Sequence, residues 1–235
     1  MRSIVIALLL LAAPACARAE GDPNLVDKLE RLAVTGNAEA LYHLGMSYQT
    51  GTGVTQDHQK ALEYFRRAEA LGDPLAAYKI GCFYTGQDDV LTPDEDQALR
   101  YKSIAANAGY ALAQSDVAGI YARRGEPDAA RDWISKAAAQ GTSGALFGFA
   151  SMHNGKNGLA RDGAVVVAYF TLFLRREEPN DAQQQWLEKE RSGLTDAERA
   201  RADRIVAAYR PQPSALTLKA LSGQRAAEAL IARSE

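Results

Sequence analysis

The residues of this 235-residue chain best suited to bind a metal or attack a substrate are His43, His58, His153, Cys16 and Cys82. Side chains on one helix face capture a metal through spacings such as H-E-x-x-H or C-x-x-C, and no pair here has them. Nor does the chain contain G-x-S-x-G, S-x-x-K, a glycine-rich phosphate loop or a dinucleotide fingerprint, and Gly51-Thr52-Gly53 is too short to cradle phosphates. Asp88, Asp89, Asp94, Glu95 and Asp96 fall in a loop and helix start, where acidic groups complement the helix dipole without any acid–base role. Their order also lacks the glycine of a calcium loop. Arg66-Arg67, Arg123-Arg124 and Arg175-Arg176 sit near expected helix C-termini, where the dipole favours cations. Cys82, inside the apolar segment Tyr78 to Tyr84, reads as a small packed hydrophobe. The chain is expected to be no enzyme and to carry no catalytic, cofactor-binding or metal-binding residues.

The elements around these residues are helical. Ala, Leu, Glu, Gln, Arg and Lys dominate, and 47% hydrophobic content is enough for a sizeable core. With 27 basic against 29 acidic residues, no strong field steers the chain to nucleic acid or an anionic membrane. Laid on itself, the chain repeats: terminator-like glycines fall at Gly36, Gly72, Gly109 and Gly141, separated by 36, 37 and 32 residues. Residues 38–72 and 75–109 align Leu44-Gly45 with Ile80-Gly81, Tyr48 with Tyr84, Ala61-Leu62 with Ala98-Leu99, and Tyr64 with Tyr101. A third copy, 111–141, keeps Tyr121, Ala129-Ala130 and Trp133, and a divergent fourth, 143–176, places His153 where the others have tyrosine.

Ala40, Leu44 and Tyr48 recur on one helix face, and Ala61, Tyr64, Phe65 and Ala68 on a second, so each unit is a pair of amphipathic helices. Gly45 and Gly81 lie inside helices, where glycine costs about 1 kcal/mol against alanine, and close approach of the paired helix offsets that cost. Thr92-Pro93-Asp94-Glu95 reads as a helix start with threonine as cap, and Thr195-Asp196-Ala197-Glu198 as another.

With Ala38, Ala40, Leu44, Gly45, Tyr48, Gly51, Gly53, Val54, Asp57, Lys60, Ala61, Leu62, Tyr64, Phe65 and Ala68 in order, the first unit resembles the Sel-one-like repeat family, relatives of the tetratricopeptide repeats. The resemblance covers residues 38–176 and implies an all-α fold, a right-handed α-solenoid of stacked two-helix repeats with capping helices. It departs at the second unit, which lacks Gly-x-Gly-Val. It further implies a protein-binding scaffold, a periplasmic adaptor or regulator, with an extended concave face lined by first helices. On that face the candidate partner-binding residues are Tyr42, His43, Met46, Lys79, Cys82, Phe83, Ser115 and Asp116. A cysteine-rich branch of the family is associated with penicillin binding, so a cell-wall or β-lactam-acting enzyme is the alternative, though this chain lacks that branch's paired cysteines. A secreted host-interaction factor is a third reading.

The expected organisation is a signal peptide at 1–19, a capping helix within 20–36, four repeats over 37–176, a closing helix pair at 177–210 and a partly helical or disordered tail at 211–235. Arg2, the apolar run Ile4 to Ala13 and Ala17-Arg18-Ala19 have the layout of a secretory signal cleaved after Ala19. That run is too short to span a membrane. Ala13-Pro14-Ala15-Cys16 leaves a lipoprotein signal as the other reading. The mature protein is expected to be a periplasmic or secreted monomer with a protein partner, no nucleic-acid partner, no membrane span and no internal disulfide.

Overall fold

The computed structural model describes residues 23–155 and 159–234. Among them the chain forms thirteen helices and no strand. Leading helix α1 (Pro23–Val34) precedes four consecutive pairs: α2 (Ala38–Thr50) with α3 (His58–Ala70), α4 (Pro74–Phe83) with α5 (Glu95–Asn107), α6 (Ala111–Arg123) with α7 (Pro127–Gln140), and α8 (Ser143–Met152) with α9 (Gly163–Leu174). A further pair, α10 (Asp181–Ser192) and α11 (Asp196–Ala208), packs on α9, and the chain ends in α12 (Ala215–Ser222) and α13 (Gln224–Ala232). From α1 to α9 each helix packs on the next, which gives a solenoid with a continuous core. The expected signal segment lies outside the described residues.

The inter-repeat turns explain the glycine spacing. Gly36, Gly72, Gly109 and Gly141 have φ of 82°, 87°, 94° and 84°, left-handed values that let the chain leave one helix and start the next within a few residues. Asn37 and Asp73 then cap the following helices, accepting from Ala40 N at 2.9 Å and Ala76 N at 2.8 Å.

Inside each pair a second device recurs. The residue that starts the second helix donates its backbone N–H to the carbonyl of the tyrosine-position residue in the first: Asp57 to Tyr48 at 2.9 Å, Asp94 to Tyr84 at 2.9 Å, Glu126 to Tyr121 at 3.0 Å, and Asp162 to His153 at 2.9 Å. His153 therefore holds the tyrosine's place in a genuine fourth pair. In the first two pairs the aligned tyrosines stack alike, Tyr48 on Tyr64 at 5.5 Å and Tyr84 on Tyr101 at 5.8 Å.

One helix start differs from expectation. Asp94, and not Thr92, caps α5, because its carboxylate accepts from Gln97 N at 3.0 Å and its N–H is committed to Tyr84 O. The chain between Gly86 and Asp94 is thereby left as loop. Thr195 does cap α11, with the reciprocal Glu198 contact that forms a capping box.

The tail, expected to be partly helical or disordered, carries α12 and α13. Residues 209–217 run back across the repeat turns, with Gln212 N on Ala139 O at 2.9 Å and Ser214 Oγ on Gly109 O at 2.8 Å. The Gln140 side-chain amide uses its full capacity in this crossing. Its oxygen accepts from Ser214 N at 3.0 Å and Thr217 Oγ1 at 2.7 Å, and its nitrogen donates to Gly109 O at 2.8 Å and Gln114 Oε1 at 2.9 Å. Thr217 also accepts from Ala111 N at 3.0 Å and is 1% exposed. Beyond it α13 inserts Ala227, Leu230 and Ile231 into the core of the first two repeats.

Gly45 and Gly81 fill the role expected of them. A Cβ on Gly45 would stand 2.6 Å from the Phe65 ring, and one on Gly81 would stand 2.7 Å from Lys102 Cγ and 3.2 Å from the Ala98 carbonyl oxygen. Replacing either by leucine must therefore separate the paired helices. Gly45→Leu and Gly81→Leu should each lose at least about 2 kcal/mol of unfolding free energy, read by urea denaturation. An unchanged transition midpoint would contradict this packing.

Candidate functional site

The face of α2 turned towards α1 and α13 is the most elaborated surface of the solenoid. Asn37 fixes where α2 begins, which places Glu39 in its first turn and sets Tyr42, His43, Met46, Ser47 and Thr50 on successive turns of one side. Opposite them stand Leu25 and Leu29 of α1 and, from the tail, Lys219, Ala220 and Ala227. A cavity of about 220 Å³ remains between the two walls.

The polar groups of this site centre on Glu39. Lys219 Nζ lies 3.2 Å from its carboxylate, Arg233 Nη2 4.0 Å and His43 Nε2 3.8 Å. The His43 imidazole is buried, stands edge-on to Tyr42 at 5.2 Å between ring centroids, and finds no hydrogen-bond partner for Nε2 among the described residues. Burial depresses its pKa to about 4; Glu39 pulls the value up and Lys219 pushes it down, but desolvation prevails. His43 is thus neutral near pH 7. Burial also pushes the Tyr42 phenol far above its ordinary range and raises Asp73 at the neighbouring helix cap.

The other sequence-derived candidates lie on α4 and α6 and behave differently from one another. Phe83 and Cys82 are buried, 1% and 5% exposed, and serve the core; burial raises the Cys82 thiol, which disfavours a reactive thiolate. Lys79 is half-buried, and desolvation lowers its pKa. Ser115 Oγ donates to its own helix at Ala111 O, 3.1 Å. Asp116 takes a short ion pair, 2.6 Å, from Lys102, whose stem threads past Gly81 from α5 to reach α6. Tyr42, His43 and Met46 are therefore gathered on the α2 face and covered by the tail, Cys82 and Phe83 lie in the core, and Lys79, Ser115 and Asp116 are half-exposed farther along.

Sequence reasoning missed Glu39, Lys219 and Ala227. The spacing of Ala227, Leu230 and Ile231 is that of one helix face and was the available signal for a docked α13. Among the described residues no group of three or more His, Cys, Asp or Glu side chains could hold a metal ion. None of the described helices is long and apolar enough to cross a membrane.

Comparison with known proteins adds a family to this geometry. The Sel1 repeat model matches residues 38–73, 74–110 and 112–142, so the α8–α9 pair lies beyond the matched span. A Sel1 repeat protein of Oxalobacter formigenes superposes with a TM-score of 0.62 at 20% identity over 79% of each chain, a likeness of fold. Among curated proteins the chain is similar to chitin synthase regulatory factor 4 of Schizosaccharomyces pombe, 28% identical over 53% of this chain. It is also similar to protein SHC1 of Saccharomyces cerevisiae, 32% identical over 44% of this chain. The chain spans only 20% and 22% of the length of those two relatives.

The buried imidazole predicts a pH dependence. In the unfolded chain His43 titrates near its ordinary 6.5 and in the fold near about 4, so between these values the unfolded state holds the extra proton. Stability is full above about pH 6.5 and falls as pH drops towards 4, by roughly 3 kcal/mol at most. Asp73, raised by burial, works in the opposite direction at the acid end of this window. His43→Gln should flatten the fall in urea midpoints measured at pH 7.0, 5.5 and 4.5. The same slope in both proteins would place the titrating group elsewhere.

Proposed function

We propose, from the premise that this chain is a Sel1-like repeat protein, that it works as an exported adaptor or regulator that binds a partner protein along the face formed by α2, α4 and α6. Its repeats form the kind of scaffold on which protein–protein recognition is built. The single observation that carries the proposal is that this face already takes a helical ligand. Its first helix, α2, packs against α13, a segment far along the sequence, through aliphatic contacts, and its Glu39 carboxylate is approached by Arg233 at the end of α13 and paired with Lys219 of α12. A surface that holds one helix in this way has the shape and chemistry to hold others.

The farther part of the face offers Lys79 and Asp116 at its half-exposed positions, next to the edge-on rings of Tyr78 and Tyr110 at 4.9 Å. Such a mixture of aromatic and charged groups is usual at recognition sites. The relation to a fungal regulatory factor is in keeping with a regulatory role, and the signal-like residues 1–19 are in keeping with a role in the periplasm or outside the cell.

The test is site-specific photo-crosslinking in the native cell, with the crosslinking residue placed at position 46, 79 or, as a control on the outer surface, 63. A discrete protein adduct from positions 46 and 79 and none from 63 is expected. Adducts from position 63 alone, or no protein adduct from either of the other two, would contradict the assignment of this face.

A further inference from the structure

The two halves of the tail are held by different forces. Ser214 and Thr217 anchor α12 through a fully paired polar network with Gly109, Ala111 and Gln140, while its Leu218 and Leu221 point outwards, 54% and 65% exposed. After the break at Gly223, whose φ is 52° and whose Cα has open space around it, α13 is held by Ala227, Leu230 and Ile231. Beneath α13 the packing is incomplete. The lining of the 220 Å³ cavity combines Leu25, Leu29, Met46 and Leu75 with the small side chains Ala220 and Ala227 of the tail. The cavity is partly open to solvent, and larger side chains in the tail would add apolar burial and dispersion there.

We infer that the α1–α2 face is a docking site for a partner's amphipathic helix, which the chain's own α13 occupies in reserve, and that the favoured helix carries a large aliphatic residue where α13 has Ala227. The inference rests on the protein-binding reading and adds to it the chemistry of the ligand and its regulation. Swinging α13 out takes Arg233 away from Glu39, a carboxylate that is only 20% exposed, while Lys219 on α12 stays beside it, so the favoured ligand brings a basic residue to the place of Arg233. Gly223 supplies the pivot, so α13 can swing out while α12 stays anchored to the repeat turns. The tail then acts as a competitor that weakens every ligand by the fraction of time it occupies the site.

Two fluorescein-labelled peptides of residues 223–234 test this on the full chain, one native and one carrying Ala227→Leu. Fluorescence anisotropy should show the leucine peptide binding at least ten-fold more tightly than the native one. Placing Ala227→Leu in the protein itself should fill the cavity in cis, raise the melting temperature and abolish peptide binding; Ala220→Leu serves the same purpose if that variant does not fold. Equal affinity of the two peptides, no binding, or binding indifferent to both tail substitutions would overturn the inference. So would a doubled mass without added peptide, which would make the occupant the tail of a second copy. A partner crosslinked at position 79 with no peptide binding at α2 would leave the scaffold function standing and remove this site.

Discussion

The whole solenoid depends on how closely the two helices of each repeat can approach. Three residues before the tyrosine position every pair has a small residue, Gly45, Gly81, Ala118 or Ala150, and all four are buried. At Gly45 the Phe65 ring occupies the space a Cβ would need, and at Gly81 the stem of Lys102 does. That contact brings the tyrosines of the first two pairs into stacking range and lets Lys102 reach across to Asp116. An ion pair with its lysine buried and its carboxylate half-exposed adds little net stability, because desolvation of Lys102 offsets the attraction. It does fix how the second repeat sits on the third, since a misplaced Lys102 would be a buried charge without a partner.

Much of this frame could be read from the residues. The spacing of Gly36, Gly72, Gly109 and Gly141 marked the inter-repeat turns because a left-handed turn leaves a residue-type signature. Gly45 and Gly81 announced a close approach because glycine inside a helix needs a reason. The fourth repeat was fainter: its tyrosine is His153 and its second helix is apolar over most of its length, yet the Asp162-to-His153 backbone bond is the one its neighbours make. A backbone hydrogen bond carries no side-chain signature. The same blindness explains α5, where Thr92-Pro93 has the composition of a helix start but the Asp94-to-Tyr84 bond determines where the helix begins.

The tail was illegible for a different reason. Local periodicity shows which face of a helix is apolar and not what covers it, and the anchors here are polar. Ser214, Thr217 and Gln140 look like ordinary surface residues, and only the fold brings them to Gly109 and Ala111, with Gln140 between two adjacent turns. A segment with so few apolar residues therefore reads as partly helical or disordered, although Thr217 is among the most buried polar side chains of the described residues. Tyr42, His43 and Met46 share one side of α2, but no sequence pattern reports that α13 lies over them. The site joins a solenoid's exposed inner surface to an intramolecular helix, and its charge and cavity only have meaning with both present.

The central claim is that α13 is an exchangeable occupant of the α1–α2 face. Hydrogen exchange read by mass spectrometry on the full chain, with and without the leucine-bearing helix peptide, addresses it most directly. The account predicts that amides of residues 225–232 are protected in the free protein and lose that protection when peptide binds, while those of α2 and of α12 at Thr217 keep theirs. Undiminished protection of α13 with peptide bound would show that the helix is a fixed part of the fold, and would contradict the account.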